Sequence, residues 1–377
     1  MPSAGEVGPW LFGARIDLLL FAGASVASLA IGGLGRAMGL STLPEGAWLG
    51  LVLAVDVAHV HATWFRTYLD RAELARKPLR YALVPLIAYA VAALAYRQGP
   101  LVFWRGLAYL AVFHFVRQAV GWVALYRAKA GPYRWFDRAL DDAAVYAATL
   151  YPLLVWHVHA AEKGFSWFVG GDFVTLPLAS WLPAARLVWA GSLIAFFARE
   201  AARWHSTRTV MLGKSLVVAC TALTWHVGIV VNDSDFMFTA SNVIPHGVPY
   251  AWLLFAYTRR RAKEAPAFRF AQVALGGFAA FCAVLVGFAF IEQLAWDRLV
   301  EHERPWLFGD ASPLPAPWLA WVVPLLALPQ ATHYLLDGLL WRRADSRELP
   351  AQRALLRADR AEPTSELPPL GLEVAAK

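Results

Sequence analysis

Residues 47–66 read Ala-Trp-Leu-Gly-Leu-Val-Leu-Ala-Val-Asp-Val-Ala-His-Val-His-Ala-Thr-Trp-Phe-Arg. The run is long and apolar enough to cross a bilayer, for which about 20 residues suffice, yet it carries Asp56, His59, His61 and Arg66. Ionisable groups at membrane depth are costly and need partners from other segments, so they are functional candidates. At about 100° per residue, Asp56, His59, Thr63 and Arg66 share one helix face. His61 lies about 160° from His59 by the same geometry, so it meets a second wall or the helix is locally distorted.

The rest of the chain has the same character. Of its 377 residues 59% are hydrophobic and only 16% charged, with a mean hydropathy of +0.46, whereas soluble domains carry about 25% charged residues. The composition predicts an all-α fold, a polytopic integral membrane helical bundle. Hydrophobic windows place ten transmembrane helices near residues 17–38, 47–68, 79–97, 101–126, 140–161, 181–201, 209–231, 238–258, 268–292 and 316–341, each about the length needed to span. Basic clusters follow the even-numbered spans, among them Arg71 and Arg76, Arg127 and Lys129, Arg259 to Arg261, and Arg342 and Arg343; the alternate loops are neutral or acidic. By the positive-inside rule both termini are expected in the cytoplasm.

The formal net charge of +7 therefore reads as a topology signal, and no nucleic-acid partner is expected. Cys220 and Cys282 both fall inside expected spans, which argues against a disulfide framework. Met1 to Arg15 lacks a basic region leading into a short apolar core, so the first apolar run is expected to be a retained span. Residues 1–342 read as a single transmembrane domain. Residues 343–377 are polar and proline-containing and read as a disordered cytoplasmic tail. The loops 162–181 and 297–317 carry aromatic residues and are expected at the outer membrane interface. The expected location is the inner (plasma) membrane of a bacterium.

Of the ten His in the chain, His59, His61, His114, His157, His159, His226, His246 and His333 fall inside or at the ends of expected spans. A helical rise of about 1.5 Å per residue puts His59, His114, His246 and His333 within about two turns of the bilayer midplane, and His157, His159 and His226 nearer the outer face. One centre or two would fit. Each central His has polar company at helical spacing: Arg117 and Gln118 after His114, Asn242 before His246, Gln330 and Asp337 around His333. Pro245 and Pro249 are expected to break the helix around His246. A metal-bound His usually donates its other ring N–H to a carboxylate or carbonyl, and Asp56, Gln118, Asn242 and Asp337 are placed to orient ligands in this way. Asp56 pairing with Arg66 is an equal alternative. Arg117, one turn from a central His, calls for a buried anion.

Imidazole suits iron, copper, zinc and nickel, and the lack of a Cys or carboxylate cluster argues against iron–sulfur, calcium and magnesium sites. In this set of membrane His on several helices the chain resembles, in kind, the histidine-rich integral-membrane iron enzymes: fatty-acid desaturases and hydroxylases, alkane monooxygenases and carotenoid-cleaving membrane dioxygenases. None of the His-x-x-x-His or His-x-x-His-His boxes of the desaturases and hydroxylases occurs here. The resemblance implies one or two transition-metal ions, iron first with copper or zinc as alternatives, and O2-dependent oxidation of a hydrophobic, lipid-like substrate entering from the bilayer. It also implies an electron-donor protein. Arg117, Asp56 and Asp337 are the candidate catalytic groups beside the eight His. Two other functions fit the same residues: a secondary transporter with a buried His/Asp/Arg proton relay, and a haem-binding membrane cytochrome.

Overall fold

The computed structural model describes residues 8–131, 133–265 and 268–341. The tail expected at 343–377 lies outside the described residues. The apolar windows are largely helical, the form that a span through hydrocarbon would need because a helix pairs its backbone N–H and C=O groups internally. The long helices are α1 (Ala14–Ala37), α2 (Glu45–Arg66), α3 (Pro78–Gln98), α4 (Pro100–Ala130), α5 (Trp135–Val158), α6 (Ala179–Thr207), α7 (Leu212–Val231), α8 (Asp235–Glu264), α9 (Phe278–Glu301) and α10 (Ala316–Leu340). Eight of them are long and apolar enough to cross a membrane.

The two that miss this criterion are α5 and α8, and both have a physical reason. α5 opens on Asp137, Arg138, Asp141 and Asp142, and α8 closes on Arg259 to Arg261 and Lys263. α8 also runs through the middle of the bundle, with Ser241, Asn242, His246 and Thr258 buried. Its polar side chains face protein, where lipid does not select against them.

Contacts between helix ends sort into two layers. In one, Arg66 at the end of α2 donates to the Leu340 carbonyl at the end of α10, and Lys214 at the start of α7 joins Asp141 of α5 and Glu200 of α6. Arg261 of α8 reaches Asp70 in the same layer. In the other, Arg36 of α1 meets Asn232 after α7, Ser41 O accepts from the Asp235 N–H that opens α8, and Arg304 after α9 pairs with Glu45 of α2. α5 and α8 thus run the full depth of the bundle like the other helices.

Local sequence explains several departures from the expected spans. Gly277 adopts φ 100°, a left-handed conformation favoured for glycine, so α9 begins at Phe278 and ends at Glu301, about ten residues later than the hydrophobic window. α8 stays unbroken across Pro245 and Pro249; each proline removes one backbone bond, but packing on all sides holds the helix. On α1, a Cβ at Gly32 or Gly35 would fall 2.3 Å from the Met237 side chain or 2.1 Å from that of Phe236. Glycine there lets α1 lie directly against α8, the small-residue contact that membrane helices use.

The two aromatic loops bury part of their aromatic side chains against the bundle. Phe165 and Phe173 are buried, stacked with Phe238 at 4.3 Å and with Trp156 at 4.0 Å between ring centroids. Loop 159–178 therefore folds back as a roof over the bundle. In the other loop Phe308 is buried and Trp306 exposed.

Candidate metal centre

Four helices each bring one imidazole to a common point. His59 of α2, His114 of α4, His246 of α8 and His333 of α10 are all buried, and one ligand atom from each lies within 4.8 Å of all the others. The rings neighbour one another in a closed circuit, with centroids 4.8 Å apart for His59 and His246, 5.0 Å for His246 and His114, 4.5 Å for His114 and His333, and 5.0 Å for His333 and His59. Among the described residues this is the one group of three or more His, Cys, Asp or Glu side chains that converges so closely.

The hydrogen bonding explains which nitrogen faces the centre. In all four rings Nε2 is buried and has no hydrogen-bond partner. Nδ1 of His59 lies 3.2 Å from the Val55 carbonyl, and a carbonyl only accepts, so Nδ1 carries the proton and Nε2 presents a lone pair. Nδ1 of His333 lies 2.7 Å from Thr63 Oγ1, which is 2.9 Å from the Tyr250 hydroxyl. Tyr250 hydrogen-bonds Asp337. A chain ending on a carboxylate runs from His333 Nδ1–H through Thr63 and Tyr250, again leaving Nε2 as an acceptor. Four buried nitrogens without partners would be costly unless they share one. The tetrad can hold a transition-metal ion, whose bonds to imidazole run about 2.0–2.1 Å.

Local backbone geometry delivers these rings. α2 is wound loosely as a π-helix over Leu49–Val57, becomes α-helical over Ala58–Ala62 and tightens to a 3-10 turn over Thr63–Arg66. π-helical turns are rare and recur at functional sites. α8 approaches α2 at Gly247, where a Cβ would stand 2.9 Å from Val55 Cγ1, 3.2 Å from Val55 O and 3.5 Å from His59 Nδ1. His246 is clamped by Phe115, whose ring stacks at 3.5 Å and 8°, and His114 stacks on Tyr334 at 5.0 Å.

Carboxylates stand behind the rings. Asp56 Oδ1 is 3.8 Å from His59 Nδ1, and Asp337 Oδ2 is 3.7 Å from His114 Nδ1. Asp337 also accepts from Trp341 Nε1 at 3.2 Å. Two carboxylates would balance the charge of a divalent ion bound by four neutral imidazoles, which matters where water cannot screen it. Asp56 does not pair with Arg66; that side chain is spent on Glu73 at 3.3 Å and on the Tyr257 ring.

The other sequence candidates are placed elsewhere. His61 points away from the tetrad, its Nε2 3.0 Å from Glu292 of α9, so it meets a second wall. His157 bonds the Leu153 carbonyl at 2.7 Å and the Tyr109 hydroxyl at 3.0 Å. His159 is half-buried beside Glu162, and His226 stacks on Trp189 at 4.9 Å. The structure brings none of these four into the centre. Arg117 is exposed on α4 and donates to the Tyr146 hydroxyl of α5 at 2.6 Å, so it sits at the edge of the face that carries His114 and meets α5 in place of a buried anion beside the tetrad. Gln118 and Asn242 border a small cavity of about 50 Å³ against His246, and Asn242 Nδ2 donates to the Phe238 carbonyl at 2.8 Å. Neither amide bonds a tetrad ring among the described contacts. The orienting groups that the sequence left unmarked are the Val55 carbonyl, Thr63 and Tyr250. Tyr250 follows His246 by four residues, and Thr63 shares the His59 face, which is the signal that would have found them.

A larger cavity of about 1160 Å³ lies beside the tetrad, lined by neighbours of its histidines and not by the histidines themselves. Asp56, Phe115, Asn242 and Gln330 line its inner end, and the 160–175 stretch of the roof loop lines its outer end. No protein-family model, curated protein or solved structure matches this chain.

Proposed function

We propose that the chain is a membrane-embedded metalloenzyme in which His59, His114, His246 and His333 hold one iron ion, and that it oxidises a hydrophobic, lipid-like substrate with O2, with electrons from a donor protein. The observation that carries this reading is the set of four buried imidazoles, each with an Nε2 without a partner and with one ring nitrogen within 4.8 Å of all the others. An all-imidazole set suits iron, copper and zinc and does not suit calcium or magnesium. Bound iron would supply the redox chemistry that O2 requires. The residues of the chain do the rest: Val55, Thr63 and Asp337 fix ring orientation, Asp56 and Asp337 offset charge, and the apolar walls of the bundle limit water around the reacting group.

The haem reading fares worse. Two axial imidazoles need a flat macrocycle between them, whereas here neighbouring rings stand 4.5–5.0 Å apart around the whole circuit.

Metal analysis of the detergent-purified protein by inductively coupled plasma mass spectrometry tests the proposal. About one equivalent of iron is expected, together with its loss in a His59→Ala, His333→Ala double variant. Zinc in the same amount would keep the centre and replace oxidation by hydrolysis or transfer. Folded protein without metal, combined with proton-coupled uptake in liposomes, would establish the transporter instead.

A further inference from the structure

The large cavity is sided in charge as well as in position. At its mouth one guanidinium serves three carboxylates: Arg304 lies 3.2 Å from Glu45, 3.6 Å from Glu301 and 3.3 Å from Glu303, and its face covers Trp48 at 3.9 Å. The two other bases in the lining are also engaged. Lys163 donates to the Asn232 carbonyl at 3.1 Å and lies 3.9 Å from Asp233, while Arg105 donates to the Gly171 carbonyl at 2.9 Å. Arg105, Lys163 and Arg304 thus face Asp56, Asp172, Asp235, Glu301 and Glu303 in the lining, three bases against five acids.

The inner end is rich in acceptors. The Asp56 side chain keeps 34% of its surface accessible, with His59 Nδ1 3.8 Å from its Oδ1. Asn242 gives one amide N–H to Phe238 O, and its Oδ1 is buried without a partner. An acceptor in this position is satisfied by a ligand that donates, and a ligand carboxylate or phosphate would face the like charge of Asp56. Between the two ends the walls are aromatic, with Trp104, Phe115, Trp156, Phe238 and Trp296 among them. Such walls suit an apolar body and also accept a cation on their faces.

We propose that this cavity takes a neutral or cationic amphiphile, a hydroxyl- or amine-bearing apolar molecule, that enters past the roof loop and presents its donor group to Asp56 and Asn242, and that it excludes anionic amphiphiles. The proposal rests on the metal-centre reading for the identity of the reacting end. It replaces entry from the bilayer by entry from the side of the bundle that the charge pattern assigns to the outside.

The test uses the full-length protein in oriented membrane vesicles, with Cys220→Ser and Cys282→Ser as background and a single cysteine introduced as Thr239→Cys or Gln330→Cys, both in the lining. The probes are a cationic and an anionic methanethiosulfonate of similar size, and modification is read by mass spectrometry. The cationic reagent is expected to react at least about tenfold faster from the outer side, the gain that a like-signed cleft gives a counter-ion, with the ratio reduced by Asp56→Asn. Dodecanol and dodecylamine are expected to slow labelling at Gln330→Cys, and dodecanoate to leave it unchanged. Faster reaction of the anionic reagent, protection by dodecanoate, or labelling only by a lipid-soluble maleimide would each overturn the proposal. Metal content measured on the same samples separates the two readings: charge-selective labelling without metal would retain the ligand class and remove the metalloenzyme, and metal without charge selectivity would do the reverse.

Discussion

Nδ1 of His333 lies 2.7 Å from Oγ1 of Thr63, a hydroxyl on α2 one turn past His59. The helix that supplies one imidazole of the tetrad therefore also orients another, and Tyr250 on α8 ties the same hydroxyl to Asp337 on α10. Three of the four helices that carry the tetrad are cross-linked by polar contacts immediately behind it.

Removing the Thr63 hydroxyl should loosen the metal without abolishing its site. Thr63→Val keeps the shape and deletes the acceptor for His333, so metal affinity should fall about 10- to 100-fold, the usual effect of losing an orienting partner. Thr63→Ser should recover most of it. Competition with a chelator of known affinity measures the change.

The close approach of α8 to α2 at Gly247 leaves no room for a methyl group. Gly247→Ala would press a Cβ against Val55 and towards His59 and should cost about 1–3 kcal/mol, the usual cost of overpacking. Metal affinity should drop with it. A thermal melt in detergent, with and without added metal, reads both effects, and an unchanged melting temperature would show that the helices can part at no cost.

Substitutions at His157 and His226 separate the centre from the remaining His. His157→Ala and His226→Ala, at side chains engaged by Tyr109 and Trp189, should leave metal stoichiometry at the wild-type value. Loss of metal in either variant with folding intact would mean that the centre extends beyond the tetrad.

Lys214 is fully buried, with Asp141 at 2.7 Å, Glu200 at 3.0 Å and the Tyr133 hydroxyl at 2.7 Å. Lys214→Ala removes the nearest cation of two buried carboxylates, leaving Arg127 3.9 Å from Asp141 and Arg203 3.7 Å from Glu200, and should destabilise the bundle by up to about 3–5 kcal/mol. The tetrad is remote from this layer, so protein that still folds should bind metal normally. Denaturation in mixed micelles gives the first quantity and metal analysis the second.

Glu73, in the connection between α2 and α3, should make stability depend on acid. Burial raises its pKa, but hydrogen bonds from Arg76, the Arg66 charge and the Tyr81 hydroxyl outweigh that effect and bring it below the ordinary value of 4.5. A carboxyl with a depressed folded pKa contributes stability in full above its unfolded pKa and loses it as pH falls through the folded value. Wild type should therefore lose stability on acidification below about pH 4.5, and Glu73→Gln should be less stable at neutral pH and flatter across that range.

The sequence by itself determined the class of fold and the depth of the key residues. Hydrocarbon requires helices of about 20 apolar residues, so most windows are legible without tertiary information. Distance along each window also placed His59, His114, His246 and His333 near one level. α9 was misplaced because hydropathy cannot see that Gly277 ends one segment and begins another. Only the tertiary structure decided which His meet. His61, two residues from His59, turns to Glu292, His157 bonds Leu153 and Tyr109, His159 meets Glu162, and His226 stacks on Trp189. The sense in which a helix turns is local, but which neighbour stands opposite a given face depends on how all the helices pack. For the same reason Thr63 and Tyr250, ordinary residues in their own segments, acquire a role only when α2, α8 and α10 come together around His333.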